Sequence, residues 1–189
     1  MSVPVARRDA APVIGRLRRT LRTLAKDGGA VALVSVLLYC LVFNLSVVRG
    51  RSMAPGIHDG DRILVEPWSR AIGDFGRGDV AVMRSPVEPG LEYIKRIVAL
   101  PGDEVLIADG RLWVNDQLVE EPYAFLGDGV GGVGDALVWT RVRAGHYFVL
   151  GDNRPHSSDS RDFGQVPGDL LRGRVRLRLW PLERVGLIH

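Results

Sequence analysis

The chain has 189 residues, a net charge of +3 and one cysteine, enough for one ordinary domain and an appendage. Residues 1–27 hold seven basic side chains against Asp9 and Asp27, so the basic character belongs to a tail and the remainder carries about −2. That balance removes the main support for nucleic-acid binding. Cys40 lies in an apolar run, where it reads as a small apolar residue, so disulfides and thiolate-held metals are excluded from the rest of the chain. The four histidines, His58, His146, His156 and His189, show no ligand spacing, and neither metal nor cofactor is expected.

Residues 28–48 follow the basic tail and form 21 consecutive positions without charge. That length spans a bilayer as a helix and exceeds the apolar core of a cleaved secretory signal. No small-x-small cleavage site follows, and Asn44 is the one strongly polar side chain in the run. The cationic flank is expected to stay in the cytoplasm. The reading is a tail over 1–27, a single transmembrane signal anchor over 28–48, and an extracytoplasmic domain over 49–189, with the lipid bilayer as a partner.

Beyond Val48 the pattern changes to short apolar runs separated by turn signals. Segments 62–66, 79–83, 92–100, 104–108, 111–115, 136–142 and 146–151 read as strands. Asp109-Gly110 is a two-residue hairpin signal. The expected fold is mainly β, an antiparallel catalytic domain behind one N-terminal transmembrane helix. "LGDGVGGVGDA" (126–136) has GxGxxG spacing without the strand and helix a dinucleotide site requires, and reads as a flexible loop. Near the end, alternation puts Arg172, Arg174, Arg176 and Arg178 on one face of a strand. They read as a solvated face, with attraction to anionic lipid as the functional alternative.

Lysine usage is the sharper signal. Of 25 basic residues only Lys26 and Lys95 are lysines, so Lys95 is the one lysine after the apolar run. Arginine serves where charge alone is needed, but only lysine can be deprotonated near neutral pH. Alternation places Tyr93, Lys95, Ile97 and Ala99 on one largely apolar face. Desolvation there lowers the amine pKa and equips Lys95 as a general base; a snorkelling amine is the plainer alternative. Ser52 is the candidate nucleophile, four residues past the apolar run and within about 14 Å of its end. A Ser-His-Asp arrangement using His156 and Asp159 competes for that role.

Four motifs in order carry a resemblance. "GRSMAPGIHDGDRILVE", "RGDVAVMRSP", "YIKRIVALPGD" and "GDNRPHSSDSRDFGQVP" span residues 50–167. They resemble the type I signal peptidases, serine–lysine endopeptidases of the bacterial cytoplasmic membrane that remove signal peptides from exported preproteins. The Trp180-Pro181 ending is also similar.

The resemblance implies Ser52 as nucleophile, Lys95 as general base and Ser157 as the hydroxyl orienting the amine. It implies structural charged pairs Asp159 with Arg161 and Asp152 with Arg96. Val48, Met53, Ile57, Ile63, Val82, Tyr93 and Ile94 would line shallow pockets suited to Ala-x-Ala. Some members have a serine hydroxyl as oxyanion donor two residues before the nucleophile; this chain has Gly50 there. Pro155 replaces a residue that is often acidic. The expected partners are signal peptides and the bilayer, with a monomeric enzyme. Two rivals remain: a maturation peptidase of narrow substrate range, such as one for conjugation pili, and a membrane-anchored β domain that binds without cleaving.

Overall fold

The computed structural model describes residues 28–31, 33–35, 44–72, 75–127 and 138–188. The basic tail, Cys40, most of the expected anchor, the glycine loop from residue 128 and His189 lie outside the described residues. Two units are distinguished, Met1–Leu41 and Val42–His189. In the first, residues 28–31 and 33–35 are helical. Among the described residues no helix is long and apolar enough to cross a membrane.

The second unit is built from two antiparallel sheets. β1 (Asn44–Val47), β2 (Arg62–Glu66), β3 (Val80–Arg84), β4 (Glu92–Ala99), β9 (His146–Leu150), β10 (Val166–Pro167) and β11 (Leu171–Trp180) form the larger. Their order is β1-β2-β11-β3-β4-β9-β10, with β12 (Gly186–Leu187) on β11. β5 (Glu104–Ala108), β6 (Arg111–Val114), β7 (Gln117–Leu118) and β8 (Val138–Arg141) form the smaller, ordered β7-β6-β5-β8. Short helices α1 (Ser69–Ile72) and α2 (Ser160–Phe163) lie between strands.

One boundary is corrected. The uncharged run was expected to continue as helix to Val48, but Asn44–Val47 is strand β1, antiparallel to β2 with Ser46 opposite Ile63. Continuous hydrophobicity masked an edge strand whose Leu45 and Val47 are exposed while Val48 is buried. The β domain therefore starts before residue 49.

Alternation explains the smaller sheet. Val105, Ile107, Leu112 and Val114 turn inward onto Phe148 and Leu150. Asp109 (φ 49°) and Gly110 (φ 70°) both take the positive φ of a tight hairpin turn between β5 and β6. A second cluster, Val48, Met53, Ile57, Ile63, Val65, Val80, Val82 and Val175, underlies the loop that carries Ser52.

The β11 arginines are ion-paired. Arg172 meets Glu92 at 3.2 Å, Arg174 meets Asp79 at 3.1 Å, Arg176 meets Glu66, and Arg178 meets Asp61 at 3.5 Å. The row links β11 to its neighbours rather than presenting a free cationic surface.

One strand edge is left open. β9 meets β4 from Arg96 onward, whereas β3 pairs with β4 along Glu92–Arg96. Among the described residues, 92–95 thus have a strand neighbour on one side only.

Candidate active site

Ser52 lies in the loop between β1 and β2, and Lys95 in the middle of β4 opposite Ala81. Both open onto one groove of about 580 Å³. Val48, Gly50, Met53, Val82, Tyr93 and Ile94 also line it. Ile57 and Ile63 instead sit in the apolar cluster beneath the loop. Sequence reading missed Ser46 and Val47 because they fell in the apolar run, Gly90 and Leu91 because they precede the recognisable strand, and Glu92 because it only opens that strand; all five line the groove.

Lys95 is 3% exposed. Its Nζ donates to Ser157 Oγ at 3.0 Å and lies 5.5 Å from the Tyr93 ring centre. Burial pushes the amine down from its usual range to about 8; Arg161 acts in the same direction, against Asp159, Asp162 and Asp152. A lysine in this setting gives up its proton within reach of neutral pH.

Two charged pairs frame that amine. Arg96, on the opposite face of β4, makes a fork with Asp152, Nε to Oδ1 at 2.9 Å and Nη2 to Oδ2 at 2.7 Å. Its guanidinium also lies 4.0 Å from the Tyr123 ring centre. Asp159 is fully buried and caps α2. Its Oδ2 accepts from the Gly151 N–H at 2.9 Å and its Oδ1 from Arg161 Nε at 2.8 Å. Burial would raise the Asp159 pKa, but the Arg161 guanidinium and the Gly151 N–H hold it below the usual carboxylate value.

Gly151 permits the close approach of these parts. A methyl at this position would lie 2.1 Å from Ser157 Oγ and 2.6 Å from the Ser52 carbonyl oxygen. Those distances are inside contact range, so any side chain there would push Ser157 or Ser52 out of place.

The competing triad is not assembled. His156 Nδ1 is 3.2 Å from Asn153 Oδ1, while the Asp159 carboxylate is occupied by Arg161 and the Gly151 N–H. Sequence reading also passed over Asn153, which holds the loop of Ser52. Its N–H donates to the Ser52 carbonyl at 3.0 Å and its Nδ2 to the Arg51 carbonyl at 3.1 Å. An asparagine between recognised motif residues carries no separate signal, because its partner Arg51 lies 102 residues away in sequence.

Comparison with known proteins identifies the family. The family model "Signal peptidase, peptidase S26" matches residues 21–180. Signal peptidase I of Bacillus licheniformis is 34% identical over 159 residues, 80% of this chain and 84% of that one. Signal peptidase I U of Bacillus subtilis strain 168 is 36% identical over 176 residues, 86% and 92% of the two chains. A crystal structure of a signal peptidase I from Enterococcus faecalis V583 is 31% identical and covers 53% of this chain and 96% of its own, with a TM-score of 0.48.

Proposed function

The chain belongs to the signal peptidase family, peptidase S26, and is a serine endopeptidase; we propose that it removes signal peptides using Ser52 as nucleophile and Lys95 as general base. The observation carrying this reading is Lys95: buried, hydrogen-bonded to Ser157, held near a pKa of about 8, and open to the same groove as Ser52.

Neutral Lys95 takes the Ser52 hydroxyl proton as Oγ adds to the scissile carbonyl carbon. The tetrahedral oxyanion is stabilised by the Ser52 N–H. As the C–N bond breaks, Lys95 returns its proton to the leaving amine, and water then repeats the sequence on the ester. Ser157 holds the amine in line, while the Asp159–Arg161 pair keeps the surroundings close to neutral. Apolar Val48, Met53, Val82 and Ile94 along the groove suit small side chains before the cut, the Ala-x-Ala pattern.

The membrane reading rests on exposed apolar side chains and on the uncharged run. Leu45, Val47, Trp180, Leu182 and Leu187 are exposed on or beside β1, β11 and β12, and the uncharged run ends directly at β1. With β1 removed from the run, 16 uncharged residues precede it, which as a helix would span about 24 Å at 1.5 Å per residue. A bilayer core of about 30 Å is matched if Arg22 and Lys26 snorkel to the inner interface. The N-terminus is then cytoplasmic and the β domain extracytoplasmic, a single-pass bacterial membrane protein.

Cleavage of a preprotein by Lys95→Arg tests the mechanism. A guanidinium keeps the charge but cannot accept the proton, so Lys95→Arg should be as inactive as Ser52→Ala while remaining folded. Wild-type kcat/KM should rise with pH through about 8, the value to which burial brings the amine. Cleavage by Lys95→Arg at a tenth of the wild-type rate would remove lysine from the mechanism.

A further inference from the structure

We infer that Asn153 is a positioning residue for the oxyanion hole, a role that rests on Ser52 being the nucleophile. The argument begins with one peptide. In a trans peptide the carbonyl and the following N–H point in opposite directions. Among the described residues the cis bonds are Ala54-Pro55 and Trp180-Pro181, so Arg51–Ser52 is trans. The Arg51 carbonyl accepts from Asn153 Nδ2 at 3.1 Å and from the Ala54 N–H at 3.1 Å. Holding that oxygen turns the Ser52 N–H the other way. Among the described residues this N–H meets no protein acceptor.

The neighbouring donor is already engaged. Gly50 brings no hydroxyl, and its N–H donates to Asp59 Oδ1 at 2.7 Å. The Ser52 N–H therefore carries the oxyanion, and its direction matters more than in a site with two donors.

Asn153 is built to hold that direction. It is 8% exposed, and its N–H donates to the Ser52 carbonyl at 3.0 Å, so it grips two consecutive carbonyls of the nucleophile loop. His156 Nδ1 lies 3.2 Å from Asn153 Oδ1. Donation from that ring nitrogen sets the amide with Nδ2 toward Arg51, whereas the flipped amide would oppose two oxygens. Behind it, Phe125 brackets the residue: its N–H donates to Asp152 O at 2.8 Å and its carbonyl accepts from the Arg154 N–H at 3.0 Å. The buried Arg154–Glu121 pair anchors this segment.

The test uses two ligands of the same peptide sequence. One is an aldehyde, to whose carbon Ser52 Oγ adds, its proton passing to Lys95 and the carbonyl oxygen becoming the oxyanion. The other carries a reduced CH₂–NH bond at the cut and forms no oxyanion. Removing an oxyanion donor outright costs about 10²–10³ in kcat, and misdirecting it should cost less, about 10–100-fold. Asn153→Ala, and the isosteric Asn153→Asp, which keeps the backbone bond, should lose kcat by that factor with KM nearly unchanged. Aldehyde affinity should fall in parallel, reduced-peptide affinity should hold, and in Asn153→Ala the pH at which the rate rises should stay in place. Unchanged aldehyde affinity in Asn153→Asp, or equal losses for both ligands, overturns the inference. Activity retained by Ser52→Ala would instead overturn the dyad on which it rests.

Discussion

At the scale of one residue, Lys95 sets function against stability. Its folded pKa of about 8 lies below the unfolded value of about 10.4. Between those values the unfolded state binds more protons, so stability rises with pH across that window, and below it the full penalty applies. At 1.36 kcal/mol per unit the penalty is about 3 kcal/mol, of which the bond to Ser157 returns about 1. Lys95→Met should therefore raise the unfolding temperature at pH 7 by roughly 4–8 °C and abolish cleavage. The gain should vanish above about pH 10.4. A melting curve unchanged at pH 7 would show that the amine is not desolvated. The residue was legible because arginine is written nearly everywhere else. Its partner Ser157 lies 62 residues on, a separation that only the resemblance bridged.

Among the elements, the C-terminal segment holds the nucleophile loop. Asp61, fully buried, accepts from Arg184 Nη2 at 2.8 Å and from the His58 N–H at 3.0 Å, and lies 3.5 Å from Arg178. Arg178 Nη1 also donates to the Gly56 carbonyl at 2.6 Å. β12 closes this arrangement by pairing with Leu177 and Arg178. Asp61→Asn leaves two guanidiniums facing a neutral amide and should cost about 3 kcal/mol, lowering the midpoint of thermal unfolding by roughly 6–12 °C. Arg184→Gln should cost less, since Arg178 still faces the carboxylate; equal losses for the two changes would place the stabilisation elsewhere. Strands such as β2, β5 and β6 were readable because hydrophobic alternation and the Asp109-Gly110 turn are local signals. β7, β10 and β12 were not, since two residues show no period. β1 was hidden for the opposite reason: its apolar residues continued a longer apolar run.

For the whole molecule, that hidden strand decides where an independently folding piece begins. The second unit starts at Val42, and β1 covers the Ile63 edge of β2 while Val48 joins the cluster under Ser52. A chain beginning at Val42 should fold and unfold cooperatively in detergent. One beginning at Arg49 loses β1 and Val48, exposes the edge of β2, and should aggregate or unfold at a lower temperature. Matching melting curves for the two would show that β1 adds nothing to the fold. The architecture was legible as mainly antiparallel β because the longer strands announce themselves locally. The order β1-β2-β11-β3-β4-β9-β10 was not, because it depends on pairings between segments more than a hundred residues apart, such as Val65 with Val175.

The open side of β4 has one further consequence. An edge strand recognises a partner through amide hydrogens and carbonyl oxygens that every polypeptide carries. Residues 92–95 can therefore grip chains that share no side chains at all, provided they arrive stretched out. Selection falls on shape before spelling: a segment coiled into a helix offers the edge nothing until it unwinds. Among clients that carry small residues before the scissile bond, the ease of unwinding there should then rank one above another.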